Sequence, residues 1–144
     1  MATTPAEVPE WFSKLSWSTP LEIPRVRIAR DLLPSRPGVY AFTNHDQALV
    51  KGIGHLYVGK TDRSLRERVG CYLGDPNDVE VAKLRHAGKA QVLMELNSNG
   101  GRGMWVRWTF HAAPARLEDE LIEYLQPGFN SSGVRFSASP GRRP

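Results

Sequence analysis

The chain has 144 residues, a net charge of +4 and a pI near 9.5, a length that suits one domain of about 150 residues with one modest core. Of its 19 cationic residues 14 are arginine, the side chain whose planar fork suits phosphates and base edges; this points to a polyanionic partner, or to the codon usage of a GC-rich genome. The single cysteine, Cys71, excludes an internal disulfide. No apolar run approaches the ~18 residues of a membrane span, and residues 1–30 lack a signal-peptide core, so the expected location is the cytoplasm.

Residues 1–36 carry Pro5, Pro9, Pro20, Pro24 and Pro34, which forbid a long helix, while EWFSKLSW can dock as a short helical turn. PGVYAFTN reads as a strand after a turn and HLYVGK as a second strand. HDQALVKGIG between them makes a long hairpin loop, with Lys51, Gly52 and Gly54 at its turns. The stretch GHLYVGKT also satisfies the phosphate-loop pattern GxxxxGK[ST]. That loop bends successive N–H groups toward one anion, which favours small residues. His55, Leu56, Tyr57 and Val58 favour an extended strand instead, whose N–H groups point sideways at neighbouring strands. Nucleoside triphosphate binding is therefore disfavoured.

SLRERVGCYL reads as a helix with Ser64 as N-cap, Glu67 completing a capping box, and Leu65, Val69, Tyr72 and Leu73 as the buried stripe. In VEVAKLRHAGKAQVLMEL, Val92, Leu93 and Leu96 lie opposite Gln91 and Glu95, which favours a second helix. MWVRWTF alternates Met104, Val106, Trp108 and Phe110 with Trp105, Arg107 and Thr109, making a third strand. ARLEDELIEYLQP is a helix ended by Pro127, and residues 132–144 read as a flexible basic tail. The expected architecture is α/β (α+β): a small, mainly antiparallel three-stranded sheet with helices packed against it.

In the last helix Leu117, Leu121, Tyr124 and Leu125 form one apolar arc with Ile122 on its flank, and Glu118 falls inside that arc. An ionised carboxylate held against a core costs several kcal/mol (about 3–5) unless it is paired. Glu118 therefore wants a buried arginine or a divalent metal, or else reaches past its neighbours to solvent.

Pro37-Gly38-Val39-Tyr40, Tyr57-Val58-Gly59-Lys60, Leu65-Arg66-Glu67-Arg68, Leu117-Glu118 followed by Leu121-Ile122, and Pro127-Gly128-Phe129-Asn130 occur in that order. Together they resemble the GIY-YIG endonuclease domain over residues 37–131. The departures are Val for Ile in both name-giving motifs, Phe for Tyr in the last one, a long loop between the first two strands, and an Arg68 one residue later, counted from Tyr57, than in many members, the extra residue falling in the loop TDRS. The resemblance implies that Tyr40 and Tyr57 share one sheet face, where one helps deprotonate the attacking water. An unperturbed tyrosine has a pKa near ~10, so it needs a nearby cation, for which Lys60 is close in sequence. Glu118 would hold one Mg2+ or Mn2+, Arg68 would be the catalytic arginine, and Asn130 would brace the site. Gly38 and Gly59 would allow close backbone approach.

Arg63 and Arg66 are expected to position phosphates, as are Arg102 and the tail residues Arg142 and Arg143. The implied activity is metal-dependent hydrolysis of a DNA phosphodiester, with a protein partner or dimerisation supplying specificity. A nucleic-acid-binding module that does not cut, and an RNA-cutting relative, are the other readings of the same motifs.

Overall fold

The computed structural model describes residues 8–50, 55–73, 92, 94–96, 99–128 and 130. Its strands are β1 (Leu21–Glu22), β2 (Gly38–Thr43), β3 (His55–Thr61) and β4 (Trp105–Thr109), in one antiparallel sheet of order β1-β4-β2-β3. The sheet thus has four strands where three were expected. The added strand is two residues long and sits between Pro20 and Pro24, too short to show an alternating pattern. It exists because β4 offers an open edge: Leu21 pairs with Val106 and Glu22 with Trp105. Ser18 continues the seam, its N–H donating to the Trp108 carbonyl at 2.8 Å and its hydroxyl accepting from the Trp108 N–H at 3.0 Å. Residues His55–Thr61 form β3, paired with β2 with one register shift between Phe42 and Thr43, as the bulky residues of that stretch predict; Lys51, Gly52 and Gly54, expected at the turns of the hairpin loop, lie outside the described residues.

Alternation along the strands divides two cores. On one face Tyr40, Phe42, Tyr57 and Val106 meet α2 (Ile23–Ile28) and α3 (Leu65–Gly70) through Ile23, Val26, Leu65 and Val69. Val92 and Leu96, both helical, close this cluster; the rest of the helix expected around them lies mostly outside the described residues. On the other face Val39, Ala41 and Val58 pack against Leu117, Leu121 and Leu125 of α4 (Pro114–Leu125). Each fully buried valine or leucine among them stabilises the fold by about 1.5–3 kcal/mol. Every residue of β2 is buried, which explains why VYAF is a continuous apolar run rather than an alternating one.

The N-terminal segment covers the α4 side. After the single helical turn α1 (Glu10–Ser13), Trp11 and Phe12 pack edge-on to each other and both contact Tyr124 of α4. Helix α3 starts as expected, the Ser64 hydroxyl accepting from the Glu67 N–H at 3.3 Å. The Ser64 N–H, however, donates to Thr61 Oγ1 at 3.3 Å. Helix α4 leaves through Gln126 at φ 55, since Pro127 disfavours the α region for the residue before it.

Candidate active site

Two glycines let the site assemble. Tyr40 is the cross-strand partner of Gly59, and its ring lies so close over that residue that any Cβ there would overlap the phenol hydroxyl. Gly38 does the same for α3: a Cβ would stand 2.8 Å from the Thr109 carbonyl oxygen and 3.0 Å from Leu65 Cδ1. The close approach of Leu65 brings Arg68, one turn along α3, down to the sheet.

Three phenols meet there. The hydroxyls of Tyr40 and Tyr72 are hydrogen-bonded at 3.3 Å, and Tyr72 also bonds the Tyr57 hydroxyl. The Tyr72 ring centroid is 6.0 Å from that of Tyr40 and 6.0 Å from that of Tyr57. The Arg68 guanidinium donates to the Tyr40 hydroxyl and, at 3.3 Å, to the Lys60 carbonyl. Burial weakens the charged form of Arg68, yet Tyr40, Tyr72 and Cys71 outweigh it and hold its pKa above the ordinary value.

Burial pushes the Tyr57 phenol up to about 12, the Glu118 carboxylate adds to the rise, and the Tyr72 hydrogen bond and Arg68 oppose it. Burial raises Tyr40 and Tyr72 further; Tyr57 adds to the rise at Tyr40, where the Tyr72 hydrogen bond and Arg68 oppose it, and both Tyr40 and Tyr57 add to the rise at Tyr72. All three therefore keep their protons at neutral pH. Tyr40 and Tyr72 have no exposed surface, whereas Tyr57 is 7% exposed; of the three, only Tyr57 is open to solvent. Glu118, half-buried on α4, raises the pKa of both Tyr57 and Tyr40, so its charge reaches the cluster.

The cation acting on the tyrosines is Arg68 rather than Lys60. Lys60 follows Tyr57 by three positions along the strand, so alternation turns their side chains to opposite faces. Lys60 pairs with Asp62 at 2.7 Å and is 30% exposed. Arg66 differs from its expected part as well: its Nε donates to the Leu33 carbonyl at 2.8 Å and its Nη2 to the Asp31 carbonyl at 3.5 Å. This arginine ties α3 to the chain before β2. Arg63 is exposed in the turn ahead of α3. Arg102 is exposed in the turn before β4, next to Gly103, whose N–H donates to Glu22 of the edge strand β1; it stands across the sheet from β3. Arg142 and Arg143 lie outside the described residues.

Asn130 is 4% exposed and grips the open edge of β3: its Oδ1 accepts from the Val58 N–H at 2.7 Å, and its Nδ2 donates to the Val58 carbonyl at 3.0 Å. It thereby fixes the strand between Tyr57 and Gly59.

Among the described residues no three His, Cys, Asp or Glu side chains cluster as a metal cage. Glu118 alone fits the mode in which magnesium is held by one or two carboxylates together with substrate phosphates and water.

Tyr72 is the member of this site that the sequence reading placed only in the apolar stripe of its helix. Helix α3 ends at Gly70, short of the expected Leu73, and Tyr72 lies in the tighter turn that follows, its N–H donating to the Val69 carbonyl at 2.9 Å; its signal is that a buried tyrosine needs a partner for its hydroxyl. No protein-family model, curated protein or solved structure matches the chain.

Proposed function

We propose that the chain is a GIY-YIG-type endonuclease that hydrolyses DNA phosphodiester bonds by in-line attack of water. One observation carries the reading: Arg68 and Glu118 both act electrostatically on the Tyr40–Tyr57 pair, and these are four of the six positions to which the motif resemblance assigns a catalytic or metal-binding role, Lys60 and Asn130 being the other two. Tyr57, the solvent-accessible phenol, orients the attacking water while Tyr72 and Tyr40 hold it in place. With a pKa near 12, Tyr57 keeps its own proton at neutral pH and acts by hydrogen bonding rather than as a phenolate base. Arg68, permanently charged and braced by two oxygen acceptors, faces the charge that develops on the phosphate. A Mg2+ or Mn2+ ion held by Glu118 and the phosphate would polarise that phosphate and stabilise the leaving oxygen.

The test is incubation of supercoiled plasmid with purified protein and Mg2+ or Mn2+, with an EDTA control. Nicked and linear products should form only with metal. Glu118→Ala should lower the rate by about 10²-fold or more, the scale of losing charge stabilisation at a reacting centre, with an unchanged circular dichroism spectrum. A wild-type protein that binds DNA and never nicks it would favour the second reading, a nucleic-acid-binding module. The complete burial of Tyr40 and the raised pKa of Tyr57 give that reading its support.

A further inference from the structure

Where β2 begins and β4 ends, the antiparallel register that pairs Val39 with Thr109 brings Arg36 and Pro37 beside Phe110, His111 and Ala112. These residues line an open groove of about 360 Å³, within the range of about 300–1,000 Å³ typical of small-ligand sites. The Arg36 guanidinium lies 3.8 Å above the Phe110 ring centroid, and Phe110 remains 40% exposed. His111 Nδ1 accepts from the Ala113 N–H at 3.0 Å, which leaves Nε2 as the ring's N–H donor. A flat cation stacked on an exposed ring, with a second donor alongside, is the chemistry that single-stranded nucleic acid meets in its binding proteins: a π-face for the base and positive charge for its phosphate.

The groove is tied to the candidate active site. The Leu65 N–H donates to the Arg36 carbonyl at 2.9 Å, which joins the groove wall to the helix carrying Arg68. Arg36 precedes Tyr40 by four residues, so at most about 14 Å of chain separates them, a span of a few nucleotides. Inside a duplex each base face is covered by its neighbours. Only an unpaired or extruded base can offer its face to the Arg36–Phe110 stack.

We infer that this groove is a stacking subsite for an unpaired base of the DNA strand being cut, so that the substrate is DNA with an unpaired nucleotide close to the scissile phosphate. The inference rests on the nuclease reading and narrows it. The test measures fluorescence anisotropy in EDTA with a labelled duplex and with the same duplex carrying a two-nucleotide bulge. The wild type should bind the bulged DNA about tenfold more tightly, within the range of stacking on one aromatic side chain. Phe110→Ala should erase that ratio and leave duplex affinity within about twofold, while Phe110→Trp should keep the ratio. Arg36→Ala should also erase it, so a folding defect in one variant leaves the other to decide. Equal wild-type affinities, or a preference that survives both alanine variants, would overturn the subsite. If plasmid is nicked without any bulge preference, the subsite fails and the nuclease reading stands. If DNA is neither bound nor nicked, both fail.

Discussion

At Gly59 a single hydrogen atom stands where any other residue would place a carbon against the Tyr40 hydroxyl. Gly59→Ala should therefore displace the ring and destabilise the fold by about 1–3 kcal/mol, the usual cost of overpacking a filled core; urea unfolding measures it. The two arginines of α3 make a paired prediction. Arg68→Ala should lower single-turnover cleavage at saturating protein by about 10²–10³-fold, because its charge sits at the tyrosine cluster. Arg66→Ala should leave that rate near wild type and instead lower stability by about 1–3 kcal/mol, since the carbonyls of Leu33 and Asp31 lose their donor. A rate loss in Arg66→Ala without a stability loss would reverse the assignment. The separation of Arg68 from Arg66 was legible in the sequence, because Leu65 sets the apolar register of the helix. The partners of Arg66 were not, because they lie 33 and 35 residues away in a stretch without periodicity.

Among the elements, β2, β3, β4, α3 and α4 were legible, since each carries a hydrophobic period or a capping signal long enough to count. Strand β1 was not. Two residues cannot show a period, and what creates the strand is the vacant edge of β4 rather than any preference of Leu21 and Glu22. The tyrosine cluster was half legible: the motif resemblance implied that Tyr40 and Tyr57 share a face, as the strand register places them, and tertiary packing alone brings Tyr72 between them. Burial also reversed one expectation, for the loss of hydration at Tyr57 outweighs the help of the nearby cation and raises its pKa. Asn130 yields the prediction at this scale. Asn130→Ala leaves the Val58 N–H and carbonyl without their partner at a buried strand edge, which should lower stability by about 1–3 kcal/mol. Hydrogen exchange at Val58 should accelerate more than at Ala41 on the central strand.

For the molecule as a whole, three phenols buried with raised pKa values couple folding to alkaline pH. In the unfolded chain a tyrosine releases its proton near pH ~10, whereas folded Tyr57 holds it up to about 12 and Tyr40 and Tyr72 hold theirs longer. Their contribution is fully present below pH 10 and is lost as pH rises toward and beyond 12. Each withheld proton lowers stability by about 1.4 kcal/mol per pH unit, so three together remove about 4 kcal/mol per unit. Against a total of about 5–15 kcal/mol, the chain should unfold cooperatively within a few units above pH 10. Phenolate absorbance and far-ultraviolet circular dichroism should change together, and Tyr72→Phe should reduce the steepness by one proton. Independent titration of these phenols in a folded chain would contradict their shared burial. The Val58–Asn130 clasp bears on how such a molecule keeps to itself. An edge strand with open N–H and carbonyl groups is a template on which a second chain can extend the sheet. At Val58 both groups are already taken by a buried side chain of the same molecule. An incoming strand would have to evict Asn130 before it could pair, so this side chain guards that stretch of edge against strand-exchanged dimers and fibrillar stacking.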